Sequence, residues 1–239
     1  MSDDPIVELK DVSVEYKRPM VFGRKERASA KYALKDLTLS FRRGQRIGLV
    51  GPNGAGKTTF LKLMSGVMTP SRGEFTIKRS VASVLDIAGG MVQGLTGREN
   101  ARLKYYLSKA DLSWRDFEKH VEEVSALEGK LDEPVASYSS GMKARLDRSM
   151  LRLTRGSIYV FDEWVAVLDA DFERRSSGGI KAVADLVVVA SHSEKVLRSW
   201  CDELIWLEGG EVVESGGIDD VLPRYQKEIN QRAKAANRR

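Results

Sequence analysis

Ile47-Gly48-Leu49-Val50-Gly51-Pro52-Asn53-Gly54-Ala55-Gly56-Lys57-Thr58-Thr59 runs from one kind of structure into another without a break. Its first four residues are the short apolar run of a strand buried on both faces. Gly51 to Thr58 then match Gly-x-x-x-x-Gly-Lys-Thr, a P-loop. After it, Leu61, Leu63-Met64 and Val67-Met68 fit an amphipathic helix. Strand, glycine-rich turn and helix in that order make a phosphate site. The glycines let backbone N–H groups fold round phosphate oxygens where a Cβ would block the approach. The helix adds the positive end of its dipole. Lys57 is placed to reach β- and γ-phosphates, and the Thr58 hydroxyl to ligate Mg²⁺. The stretch Gly51–Thr59 therefore reads as a nucleoside-triphosphate site.

A second stretch complements it. Ile158-Tyr159-Val160-Phe161-Asp162-Glu163 is a buried strand that carries Asp162 to its end, where the carboxylate can hold Mg²⁺ directly or through water. Glu163 is then placed near the γ-phosphate to polarise an attacking water. By itself an apolar strand ending in Asp-Glu is weak evidence, because strands often end in solvated acids; beside a P-loop it is a partner motif.

The remaining elements follow from periodicity. Ile6–Lys10 and Val12–Tyr16 alternate apolar and polar residues, as does Leu37–Phe41, and Arg43-Gly44 reads as a turn. Residues 97–155 read as mostly helical, with Ser113 and Asp116 as a capping box and Val121, Val124 and Leu127 continuing the stripe. Leu186–Val189 is a further buried strand. Leu204–Leu207 and Val212-Val213 flank Gly209-Gly210, a hairpin turn, and a helix with a basic tail starts near Gly217. The polar, small-residue end around Ala233–Asn237 suggests disorder. Strands alternating with helices, with a helical block inserted, predict an α/β fold.

Composition excludes other classes. The chain has 239 residues, 42% hydrophobic and 31% charged, enough for one large α/β domain or two small ones. Apolar runs such as Val187-Val188-Val189-Ala190 are far short of the ~20 residues that span a bilayer. Met1-Ser2-Asp3-Asp4-Pro5 shows no basic region followed by an apolar one, so no secretory signal is expected. The single cysteine, Cys201, rules out an internal disulfide and fits a reducing cytosol. The net charge of +5 invites a nucleic-acid reading, but residues 17–31 carry +5 and residues 224–239 another +5, which leaves the rest at −5. The motif-bearing body is mildly acidic, and no nucleic-acid partner is expected.

Tyr138-Ser139-Ser140-Gly141-Met142 decides among P-loop families. Its methionine lies 20 residues before Asp162, with Arg145 three residues further on. In this form the segment resembles the signature motif of ABC ATPases of the polysaccharide-exporter branch, whose members drive export of capsule, O-antigen or teichoic acid. The resemblance runs to about residue 222 and includes Leu95–Asn100, Val167–Ala170 and Ser191-His192-Ser193. It implies one ABC ATPase domain over residues 1–222, with an N-terminal antiparallel β subdomain, a P-loop core and an α-helical subdomain inserted over residues 91–150. A basic helix or tail over residues 223–239 follows.

The resemblance also implies roles. ATP and Mg²⁺ are the expected cofactors. Two chains would face each other head to tail around two ATP molecules, with Ser139, Ser140 and Gly141 of one reaching the γ-phosphate held by the other. Taken alone, these residues read equally as a helix N-cap. His192 matches the family's switch histidine, which orients Glu163 and water; Asp169 matches a loop crossing the dimer interface. Tyr16 matches the aromatic that stacks on adenine, with Tyr32 as the alternative and a packed sheet tyrosine as the plain reading of either. His120, in a helical stretch, reads as solvated or partly packed. An integral membrane permease is the implied partner, a lipid-linked polysaccharide the indirect one, and the cytoplasmic face of the membrane the implied place.

Two departures stand out. Val84–Gly90 lacks the glutamine most relatives carry between P-loop and signature, as the polysaccharide branch often does, and Gln93 sits too close to Leu95-Thr96-Gly97 to align. Trp164 follows Glu163 where many relatives have Pro or Ala. Residues 17–31 suggest a loop at a membrane surface, where each Lys or Arg contributes ~1 kcal/mol. An ATPase serving another exporter, or a soluble regulatory ABC ATPase, remains the alternative.

Overall fold

The computed structural model describes residues 4–16, 31–84, 91–108, 112–150, 158–162 and 184–236. Two sheets carry the fold. β1 (Val7–Tyr16), β2 (Lys31–Phe41) and β4 (Arg72–Ile77) form an antiparallel sheet in the order β2-β1-β4. β3 (Arg46–Val50), β5 (Val81–Val84), β6 (Ile158–Asp162), β7 (Leu186–Ala190), β8 (Glu203–Glu208) and β9 (Glu211–Gly217) form the second, in the order β5-β6-β7-β3-β8-β9. There only the β8–β9 pair is antiparallel.

The large sheet is apolar on both faces because it separates two cores. Ile47 and Leu49 of β3, Ile158 and Val160 of β6, and Leu186 and Val188 of β7 point into the core shared with the small sheet and helix α1 (Lys57–Met64). Their neighbours Val50, Tyr159, Phe161, Val187 and Val189 point the other way, onto α5 (Glu194–Trp200) and α6 (Ile218–Ala236). Period-2 alternation feeding two cores is what makes these strands read as unbroken apolar runs. Each fully buried side chain among them contributes roughly 1.5–3 kcal/mol.

A third core belongs to residues 91–150. α2 (Gly97–Ser108), α3 (Trp114–Ser125) and α4 (Ser140–Ser149) pack around Phe117, Val121, Leu131, Val135, Tyr138 and Leu146. Asn100 is buried, and its amide grips the turn before α2, donating to the Val92, Leu95 and Thr96 carbonyls while accepting from the Val92 N–H. Arg98 holds Asp132 at 2.7 and 3.2 Å, Glu118 at 2.7 Å and Glu122 at 2.8 Å. Ser113 caps α3 by accepting from the Asp116 N–H, as its spacing predicts.

The two alternating N-terminal runs lie on one strand, bent at Asp11 with φ of 51°. Two expectations are corrected. His120 is buried rather than solvated, because it falls on the same stripe of α3 as Phe117, Val121 and Val124. The chain is helical to Ala236 rather than disordered; Glu228 and Arg232 pair at i, i+4, and Arg232 also reaches Glu208 at 2.5 Å. Residues 17–30 join β1 to β2, and Leu85–Gly90 follow β5; both lie outside the described residues, as does the membrane-surface expectation for the former. No described helix is long and apolar enough to cross a membrane.

Candidate nucleotide site

β3, β6 and β7 end on the same edge of the large sheet, the edge where α/β folds bind ligands. From there the chain delivers the P-loop after Val50, Asp162 at the end of β6 and His192 two residues beyond β7. Tyr16 comes in from the end of β1. These residues meet round an open pocket of about 330 Å³, lined by Tyr16, Tyr32, Ala33, Asn53–Thr59, Asp162 and His192.

Backbone geometry shapes the candidate phosphate cradle. Gly56 caps α1 at φ 107°, and a Cβ there would lie 2.5 Å from the Ala33 carbonyl oxygen. No side chain caps α1, whose N-terminus lies at the pocket with the positive end of its dipole. Gly51 is equally constrained: a Cβ would come within 2.1 Å of the Leu207 carbonyl oxygen. The β8–β9 turn supports the loop from below, where the Gly210 N–H donates to the Ala55 carbonyl at 3.0 Å.

Charge is placed with care in this cradle. Lys57 is buried, and its ammonium donates to the carbonyls of Gly51 at 2.6 Å and Pro52 at 3.1 Å. The Thr58 hydroxyl donates to Asp162 Oδ2 at 3.1 Å, which puts the two expected Mg²⁺ ligands within reach of one ion. Ser191 is buried at the end of β7 and accepts from the Ser193 N–H, bracketing His192 in the turn.

The two tyrosines are engaged differently. The Tyr16 ring is half exposed, and its hydroxyl meets Thr59 Oγ1 at 3.3 Å, so it stands beside the first turn of α1. Tyr32 belongs to a sheet network: its hydroxyl bonds the Glu15 carboxylate, which pushes its pKa up, and the Arg72 guanidinium lies 5.9 Å from its ring centre.

The signature residues are elsewhere. Ser139 caps α4, accepting from the Met142 N–H at 3.3 Å, and Ser139, Ser140 and Gly141 are all exposed outside the pocket. A Cβ on Gly141 would find only the Ser139 hydroxyl, 4.0 Å away, so a ligand can approach that backbone closely. Gln93 is tied to the same helix: it accepts from Lys143 Nζ at 2.9 Å. Glu163 and Asp169 lie outside the described residues. The sequence reading missed Ala33, and it missed the supporting roles of Leu207 and Gly210, which touch the P-loop only through the folded hairpin.

Known proteins agree with this geometry. Residues 34–166 match the family model described as ABC transporter. The chain is 33% identical over 202 residues to the teichoic acids export ATP-binding protein TagH of Lactococcus lactis, covering 82% of this chain but 43% of that protein. It is 31% identical over 230 residues to the polysialic acid transport ATP-binding protein KpsT of Escherichia coli, covering 94% of this chain and 100% of that protein. A solved ATP binding subunit of an ABC transporter superposes with a TM-score of 0.71 at 25% identity, over 92% of this chain and 93% of that one. With the P-loop, Asp162 and His192 gathered in one pocket, the chain belongs to the ABC transporter family, as one of its ATP-binding, ATP-hydrolysing subunits.

Proposed function

We propose that this chain powers the export of a polysaccharide, lipid-linked when it meets the transporter, across the cytoplasmic membrane. The observation that carries the catalytic part is the convergence of Lys57, Thr58, Asp162 and His192 on one pocket. The export part draws on the relatives, which are named for moving teichoic acids and polysialic acid.

In this reading Lys57 and the N-terminus of α1 bind the β- and γ-phosphates, and Tyr16 or Tyr32 offers a π-face to adenine. Thr58 and Asp162 would hold Mg²⁺, which typically takes one or two protein oxygens and completes its shell with phosphate and water. The ion supplies neutralisation of the developing phosphate charge. Glu163 polarises the attacking water, and His192 orients the pair. Ser139, Ser140 and Gly141 close on the γ-phosphate of a second copy, with Asp169 at the interface between the two. Closing and reopening of this homodimer would swing an integral membrane permease to which it is bound at the cytoplasmic face.

Affinity capture of the full chain from detergent-solubilised membranes, with identification of co-purified integral proteins, tests the reading. A polytopic permease is expected, together with loss of surface polysaccharide in cells carrying Lys57→Ala. No integral partner and unchanged export would overturn it.

A further inference from the structure

The exposed tripeptide Ser139–Gly141 is held in a frame of contacts made by its flanks. Behind it Tyr138 is buried, and its hydroxyl donates to the Lys130 carbonyl at 2.6 Å. Gly97 makes room for that hydroxyl, which would lie 2.5 Å from a Cβ. Just upstream, the short 3-10 turn Val135–Ser137 is stitched to the chain before α2. There the Val135 N–H donates to the Leu95 carbonyl at 2.9 Å, and Thr96 bridges to Pro134.

Gln93 grips the tripeptide from both sides. Its backbone carbonyl accepts from the Ala136 N–H at 2.9 Å, three residues before Ser139. Its side-chain Oε1 accepts from Lys143 Nζ at 2.9 Å, two residues after Gly141. Lys143 is half-buried and lies one turn into α4, where its N–H donates to the Ser139 carbonyl at 3.0 Å. Pinning its side chain to Gln93 therefore fixes how the first turn of α4 is rotated about the helix axis. Gln93 is exposed, and one exposed hydrogen bond does little for the fold as a whole. What it supplies is direction.

We propose that Gln93 is a positioning residue for the signature segment: through Lys143 it sets the direction in which the start of α4 meets the nucleotide held by a second copy of this chain. The proposal rests on the reading of Ser139, Ser140 and Gly141 as the surface that closes on that copy's γ-phosphate. A surface set before the encounter loses less freedom on closing, so the effect falls on dimer closure and not on ATP capture.

The test uses the purified full chain carrying Glu163→Gln, in which the ATP-bound dimer should accumulate. Analytical ultracentrifugation with saturating Mg²⁺ and ATP gives the dimer dissociation constant. Adding Gln93→Ala is expected to raise it about 10- to 100-fold, since each of the two symmetric faces loses about 3- to 10-fold with one hydrogen bond. Fluorescent-ATP affinity of the dilute, monomeric chain should stay within about 2-fold, with the melting temperature unmoved. With Lys143→Met already present, Gln93→Ala should change the dimer constant by less than about 2-fold, because its partner is gone. An unchanged dimer constant on adding Gln93→Ala would overturn the proposal and leave the signature reading standing. So would a loss of equal size with and without Lys143, or one matched by a lowered melting temperature. A Glu163→Gln chain that binds ATP yet stays monomeric would overturn the signature reading, and the proposal with it.

Discussion

Thr58 donates its hydroxyl to Asp162 Oδ2 at 3.1 Å, across the gap between the first turn of α1 and the end of β6. The two side chains come from segments about a hundred positions apart, and each satisfies the other where a hard cation would take both oxygens.

Removing either partner should therefore weaken cation use before it weakens nucleotide binding. Asp162→Asn and Thr58→Ala are expected to raise the Mg²⁺ concentration for half-maximal hydrolysis by roughly 10- to 100-fold. A Mg²⁺ titration at saturating ATP reads this directly, and an unshifted midpoint would remove the pair from the metal site.

Glu163 is the residue that directly follows Asp162 in the sequence. Glu163→Gln is expected to lower kcat by ~10²–10⁴ while ATP affinity is retained. With ATP present the variant should elute as a dimer in size-exclusion chromatography. Near-normal turnover would take Glu163 out of the catalytic role.

Tyr16 and Tyr32 both border the pocket, but only Tyr16 has a ring that is half exposed and bonded to the P-loop helix. Tyr32 is occupied by Glu15 and Arg72. Tyr16→Ala should weaken ATP binding about 3- to 10-fold, the worth of one aromatic stack, and Tyr32→Ala less than about 2-fold. Equal losses in a calorimetric titration would contradict the assignment of adenine stacking to Tyr16.

The helical block carries a pH-sensitive tie. Hydrogen bonding by Arg98 holds the Asp132 carboxyl below its ordinary value. A depressed carboxylate stabilises the fold above its unfolded value of about 3.9 and stops doing so as pH falls through the lower folded value. The gap in urea midpoint between the parent chain and Arg98→Ala should be constant above pH about 5 and shrink on acidification below about 4. A gap that does not change with pH would mean that the Arg98–Asp132 pair contributes nothing.

Much of the site could be read before folding because its residues are contiguous. β3, the P-loop and α1 occupy one stretch, and the strand that presents Asp162 announces itself by its apolar run. The Ser113–Asp116 cap was readable for the same reason. The Thr96–Glu99 cap on α2 had the same Thr-x-x-Glu signal: Thr96 Oγ1 accepts from the Glu99 N–H while Glu99 accepts from the Thr96 N–H. Weighing polarity over helix propensity hid the end of α6, where Ala233, Ala235 and the Glu228–Arg232 pair favour helix. Contacts between distant segments left no local trace. Nothing near Gly210 hints at Ala55.

The Gly209-Gly210 turn looks like any tight hairpin, a place where a surface tag or an extra residue is ordinarily tolerated. Here Gly210 donates to Ala55, accepts from the Lys35 N–H at 2.8 Å, and has no room for a Cβ beside the Ala33 carbonyl 2.8 Å away. One residue thus rivets the small sheet to the phosphate loop. For anyone engineering this protein, the turn is closed to insertion at Gly210, which marks a seam where surface variation would be felt in ATP affinity.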